Sequence, residues 1–442
     1  MTRAAAAVLA LGLLLGGVGA AHAACPDCVT AGAGRAPLDV PAGTSLGGFG
    51  SVTRRLPLPD VLGRYPHAFW LKPSTGRRDT LAARALVLER DGQRLTWLTL
   101  DLVGVDRATT AAVAARLGPG VGTLLVSASH THSGPGGYVD STLAGMLMMD
   151  RFDPVVREAI VTAAATAVRA AESARALAQI AFARLDGPPI IRSRLGKPLD
   201  HELAVLAVRR PAGDAVAVVW NFGIHGTMLG PRNLELSGDV VGVASQLVEK
   251  RLGAPALFVA GALGDVSPAR HGAAAVDDVA TTLTGAVLDG WRRAAPLAHT
   301  ALAIRTAPLA LPTPRLSLRN CLGRWVPRAV TLPLRSMFPM QTTLTAVALG
   351  DVAWIVVPGE LQTELGAHVK AQGRQVFGDV FIAGVSDEYL GYFVTPSDYE
   401  RPTYITCASV YGADTGQALA ARAVDLLYEL RGRARPAAAR TP

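Results

Sequence analysis

Short apolar runs that close on Gly, His, Ser or Glu recur along this chain, with longer stretches of helical spacing between them. Residues 95–102 and 122–127 are apolar and brief, the pattern of buried strands. Residues 202–208 and 215–220 pattern as a strand pair joined by the turn Pro211-Ala212-Gly213-Asp214. Residues 153–174 are Ala-rich and helical in spacing, opened by Asp153 as N-cap and Pro154 at the first position. Helical spacing returns over 236–252 and 274–293, on either side of a strand at 256–260. Residues 343–349 and 354–357 pair across Gly350-Asp351, a helix follows from Leu361, and a final amphipathic helix covers 415–430. This alternation predicts an α/β fold, a mixed β-sheet sandwiched between helices in a single catalytic domain. Residues 311–339, rich in Pro and Arg, predict an irregular excursion, and no internal repeat is visible.

The ends of the chain change the picture. Arg3, an apolar run to about Ala20 and the small-x-small triplet Ala21-His22-Ala23 have the form of a secretory signal peptide over residues 1–23. The expected organisation is then a linker at 24–46, a catalytic domain at 47–430 and a disordered Pro/Ala/Arg tail at 431–442. The protein is expected to be exported, to a periplasm or the extracellular space. Four cysteines are too few for a disulfide scaffold but suit one or two bridges outside the cytoplasm. Cys25 and Cys28 have no strand-helix context for redox chemistry, so a local disulfide is expected there; the pairing overall stays open.

Half of the 442 residues are hydrophobic and only 18% are charged, enough apolar material for a large core. The net charge of +8 is dispersed and no basic helix is interleaved with aromatics, which argues against a nucleic-acid partner. A cationic surface is instead drawn toward anionic membrane surfaces, so peripheral contact with one is expected. No obligate protein partner is evident.

Candidate chemistry collects where the apolar runs end. Ser129-His130-Thr131-His132-Ser133-Gly134 follows a buried strand, and two imidazoles one residue apart point to different sides. One can ligate a metal while the other faces substrate. His225 sits between glycines just past a strand, Glu360 closes Val357-Pro358-Gly359 at a helix start, and Ser267 lies in Gly264-Asp265-Val266-Ser267-Pro268. Singly, each has a plainer structural reading as a core histidine, a helix-start carboxylate or a turn cap. Together they lie at the carboxyl ends of strands, where α/β folds build sites, and two His with one Glu is a ligand set of catalytic zinc. Gly43-Thr44-Ser45-Leu46-Gly47 has nucleophile-elbow spacing but no strand before it, and is taken as a loop.

These segments resemble the neutral/alkaline, non-lysosomal ceramidases. The resemblance rests on 130–138, 264–268, Phe222-Gly223-Ile224-His225, Pro358-Gly359-Glu360 and 388–395 with Tyr399 and Tyr404, in order from about Gly47 to Gly412. It covers the catalytic domain only. It implies one zinc ion per chain bound by His130, His225, Glu360 and Tyr392, with Ser267, His132, Tyr404 and Arg192 as catalytic or substrate-contacting residues. Ile191 and Arg194 replace the Asn and Pro that usually flank the Arg-Ser pair, and Ile405 replaces an acidic residue. The implied activity is hydrolysis of the N-acyl amide of ceramide or a related N-acyl lipid. A zinc hydrolase of another ester, lactone or amide, and an exported zinc-binding protein without turnover, are the alternatives. Whether Ser267 or a zinc-bound water is the nucleophile stays open. Residues 143–149, apolar and carrying three methionines, are expected to line the acyl chain.

Overall fold

Twelve main strands form two sheets in the computed structural model, which describes residues 25–335 and 337–436. The expected signal peptide therefore lies outside the described residues, as does the end of the expected tail. The first sheet contains β1 (Val29–Pro37), β2 (Ala82–Arg90), β3 (Gln93–Leu100), β4 (Thr123–Ala128), β5 (Ala176–Asp186), β6 (Glu202–Arg209), β7 (Ala215–Phe222) and β8 (Ala256–Ala260). Their order is β8-β7-β6-β5-β1-β2-β3-β4. The interior pairs are antiparallel, whereas β3–β4 and β7–β8 at the two edges are parallel. The second sheet runs β9 (Leu302–Ala310), β10 (Gln341–Leu349), β11 (Val352–Val356), β12 (Asp379–Ala383), with a parallel β11–β12 pair.

The α/β class and the mixed pairing agree with the sequence pattern, with one addition: there are two sheets, packed face to face. Trp97 of β3 stacks on Trp354 of β11 at 5.0 Å, and Phe381 of β12 stacks on Trp354 at 5.4 Å. Large aromatics bury enough apolar surface to hold two sheets together. The outer face of the first sheet is covered by α2 (Pro154–Ser173), α3 (Asp239–Leu252) and α4 (Ala273–Arg293), with α1 (Arg107–Leu117) against α2. The second sheet is covered by α5 (Thr363–Gly373) and α6 (Thr415–Leu430). Asp153 caps α2 through Val155 N, and Pro154 takes its first position.

Residues 24–46 are not the linker expected from their composition, because β1 lies between β5 and β2 inside the large sheet. Gly32 and Gly34 explain both the position and its illegibility. A Cβ at either would run into the α2 backbone at Ala171 or Ala167, so the missing side chains let the helix approach the strand. The excursion at 311–339 is mostly irregular but carries a short strand pair, Arg315–Ser317 with Thr331–Pro333. Disulfides join Cys25 to Cys28 and Cys321 to Cys407. Among the described residues no helix is long and apolar enough to cross a membrane.

Candidate metal centre and active site

His130 sits two residues past the end of β4, in a left-handed conformation with φ +61°. That sparsely populated geometry turns its ring inward, where Nδ1–H donates to the Val103 carbonyl at 2.6 Å. The bond fixes the tautomer and leaves the Nε2 lone pair facing the cluster, as a hydrogen bond on the far ring nitrogen does in metal-binding histidines. His225 follows β7, and an isolated bridge between Thr131 and Gly226 keeps the two histidine segments side by side. Glu360 lies between the two sheets' ends, in a two-residue parallel pairing with Tyr392.

These three side chains converge. Glu360 Oε2 is 2.8 Å from His225 Nε2, and Oε1 is 3.3 Å from His130 Nε2. All three are buried, and one ligand atom from each falls within 4.8 Å of the others, so the group could hold a metal ion. The chemistry of the donors fits. Burial, and then the charge of Arg194, pushes the His225 pKa down to about 3, so its lone pair is available to a cation at neutral pH. Burial opposes ionisation of Glu360, yet the two imidazoles hold its carboxyl well below the usual range. His130 Nε2, buried and without a hydrogen-bond partner, is a polar atom that a metal would satisfy.

Around this cluster lie the other residues singled out from the sequence. The His132 ring stands edge-on to His130 at 5.0 Å and near Phe49 at 4.8 Å. Both its ring nitrogens are buried without a hydrogen-bond partner, and burial followed by the neighbouring histidines depresses its pKa, leaving a neutral imidazole. Gly48, at φ +106°, forms the wall beside it; a Cβ there would stand 2.8 Å from the ring. The Tyr392 hydroxyl has its pKa raised well above the ordinary value by burial and then by Glu360. Tyr404 is 59% exposed, its ring perpendicular to that of Tyr392 at 6.2 Å. Ser267 and Arg192 are directly opposite in the antiparallel pair Val266–Pro268 with Ile191–Ser193. Arg192 is exposed, with Nε donating to the Pro268 carbonyl at 3.4 Å.

Two residues were missed. The Tyr389 hydroxyl donates to Glu360 Oε1 at 2.6 Å, and the Arg194 Nε donates to Ser267 Oγ at 2.7 Å. Arg194 also lies 5.4 Å from the Tyr404 ring centroid. Arg194 was visible in the sequence as a departure from a family pattern, but nothing in its spacing pointed to the serine. The segment 143–149 divides: Met149 is in the core beside Gly47, whereas Met146 and Leu147 are exposed.

Comparison with known proteins points one way. The family profile described as neutral/alkaline non-lysosomal ceramidase, N-terminal, matches residues 68–285. Neutral ceramidase B of Dictyostelium discoideum is 22% identical over 75% of this chain and 65% of its own length. The neutral ceramidase of Pseudomonas aeruginosa (strain PAO1) is 26% identical over 42% of this chain and 31% of its own length. The chain thus spans less than two thirds of these curated relatives. A crystal structure of neutral ceramidase from Pseudomonas aeruginosa has the same fold, with a TM-score of 0.79 at 19% identity over 93% of this chain and 75% of that one.

Proposed function

We propose that this chain is a member of the neutral/alkaline non-lysosomal ceramidase family and an exported, zinc-dependent hydrolase of N-acyl amides, with ceramide or a related N-acyl lipid as substrate. One observation carries the reading: the Glu360 carboxylate faces His130 Nε2 and His225 Nε2 together in a buried cluster. Tyr392, whose hydroxyl faces the same carboxylate, is proposed as the fourth ligand. Zinc held by these residues would supply Lewis acidity for amide hydrolysis at neutral pH.

The protein's own groups then have distinct tasks. His132, neutral and free of protein hydrogen bonds, takes a proton from the attacking group and returns it to the leaving amine. The Ser267 oxygen accepts from Arg194, which leaves its O–H free to donate to the amide carbonyl. Arg192, opposite Ser267, and Tyr404, beside Arg194, are both open to solvent and are proposed to contact substrate. Exposed Met146 and Leu147 support an apolar approach for the acyl chain; Arg55 joins them to the loop bearing exposed Val52, Leu58, Val61 and Leu62 through the Leu147 carbonyl. That apolar rim, on a cationic protein, supports peripheral contact with a lipid surface. The two disulfides support an oxidising compartment.

A panel of acyl amides, esters and lactones, assayed before and after chelation, tests the reading. Amide hydrolysis lost on chelation and restored by zinc is the expected result. Turnover of esters or lactones alone overturns the amidase assignment, and chelator-insensitive hydrolysis overturns the metal. Activity should also rise with acyl length, since each buried methylene contributes about 0.8 kcal/mol; a flat profile from acetyl to palmitoyl rules out a lipid groove.

A further inference from the structure

Buried guanidinium groups are normally compensated. Arg84 shows the usual arrangement, ion-paired to Asp101 at 3.0 Å and to Glu249 at 2.6 Å. Arg54, also buried, places Nη1 on the carbonyls of His132 at 2.6 Å and Gly47 at 3.1 Å. Arg194 differs from both. Its fixed polar partners are neutral: the Ser267 hydroxyl and the hydroxyls of Tyr392 and Tyr404. Among the described residues no carboxylate lies within ion-pair distance of it, and its Nη1 is buried with no hydrogen-bond partner. Glu360 is the carboxylate whose field it feels, but those oxygens already face His130, His225 and Tyr389.

The Arg194 backbone N–H donates to the Asp265 carbonyl at 2.7 Å, which ties its strand to the loop leading into Ser267. Arg192, two residues earlier, is likewise without an ion-pair partner among the described residues. Two guanidinium groups therefore flank Ser267, and among the described residues neither is ion-paired to a carboxylate. A guanidinium with a free planar donor edge and no ion-paired carboxylate has room for one more partner beside Ser267, and carboxylate is the group that matches a guanidinium fork.

We propose that Arg194 is a specificity-determining residue that binds a carboxylate close to the scissile amide, so that the preferred substrates are anionic N-acyl compounds such as N-acyl amino acids. The proposal rests on the amidase reading above. In the reaction the amide C–N bond breaks, water delivers hydroxyl to the acyl carbon and a proton to the amine, and the carboxylate on Arg194 is unchanged. A neutral N-acyl amine of the same length leaves Nη1 unpaired, and sites built to pair a polar group discriminate strongly against ligands that lack it.

The test uses the full chain with N-lauroylglycine, its neutral counterpart N-lauroylethanolamine, and N-dodecylsuccinamic acid, which places the carboxylate on the acyl side. Both turnover and calorimetric binding are measured. The expected result is a preference of about tenfold or more for a carboxylate-bearing amide in kcat/KM and in Kd, with the two anionic compounds telling which side it occupies. Arg194→Gln should abolish most of that preference and Arg194→Lys should retain part of it, with melting temperature and metal content as controls for folding. Equal treatment of charged and neutral amides by the wild-type chain overturns the proposal, as does an equal loss on both in Arg194→Gln; in either case the amidase reading survives. If no amide is cleaved but the carboxylate compounds still bind more tightly in an Arg194-dependent way, the anion site stands and the amidase reading falls.

Discussion

His130 and His132, one residue apart, have opposite electrostatic situations. One has a hydrogen-bonded Nδ1 and a lone pair aimed at Glu360, whereas the other has two buried ring nitrogens with no protein partner. The division follows from the left-handed turn at His130, which sends successive side chains to different walls. It predicts that His132→Ala and Ser267→Ala retain bound metal while turnover falls by roughly a hundredfold or more. Glu360→Gln should instead lose the metal. Metal analysis alongside steady-state rates separates the two classes; near-normal turnover in Ser267→Ala would leave that serine a turn residue. These side chains were legible because His, Glu and Ser at strand ends announce chemistry. Arg194 and Tyr389 were not, because their partners Ser267 and Glu360 are far away in sequence and meet them only through pairing of short strands and loops.

Single elements carry consequences of their own. β1 is packed so closely by α2 that Gly34→Val must displace the helix backbone at Ala167. Overpacking of this kind costs about 1–3 kcal/mol, so denaturant midpoints should fall clearly while the metal stoichiometry of the folded fraction stays the same. At the other end of the molecule Glu202 of β6 binds Lys370 at 2.6 Å and Arg374 at 2.9 Å, tying α5 to the first sheet. Burial opposes ionisation there, but Arg374 and Lys370 hold the Glu202 pKa at about 2 against an ordinary 4.5. A depressed carboxylate stabilises the fold above pH 4.5 and loses that contribution as pH falls through about 2. Glu202→Gln should therefore be less stable than wild type at neutral pH, with the difference closing as acid is added. Unfolding curves at several pH values check the sign.

Over the whole molecule, two sheets with four long helices on one side and two on the other leave their strand ends together, and the group that could hold a metal lies where β4, β7 and the loops after β11 and β12 meet. The Cys321–Cys407 bridge joins the short helix Leu318–Leu322 to the helix Tyr404–Cys407 that begins with Tyr404, across a separation of 86 residues. Closing a loop of that length stabilises by about 4.6 kcal/mol in the chain-entropy account. Replacing both cysteines by serine should lower stability by a substantial part of that amount and loosen Tyr404. Calorimetry and turnover read both, and an unchanged melting temperature would show the bridge to be dispensable.

The pattern of apolar runs and the residue types that close them determined the α/β class, the extents of α2 and α6 and the candidacy of His130, His225 and Glu360, which the fold brings together, since periodicity, caps and donor chemistry are local properties. Only the tertiary structure decided that Val29–Pro37 enters the central sheet, because β1 is poor in strand-forming side chains and its place depends on the close approach of α2. Splitting of the strands into two stacked sheets was equally hidden: Trp97 and Trp354 are separated by most of the chain, and each alone is simply a buried aromatic. The same holds for the guanidinium beside Ser267. Sequence records that Arg194 carries a charge, and only the folded chain shows that it sits on Ser267 with no carboxylate among the described residues within ion-pair distance.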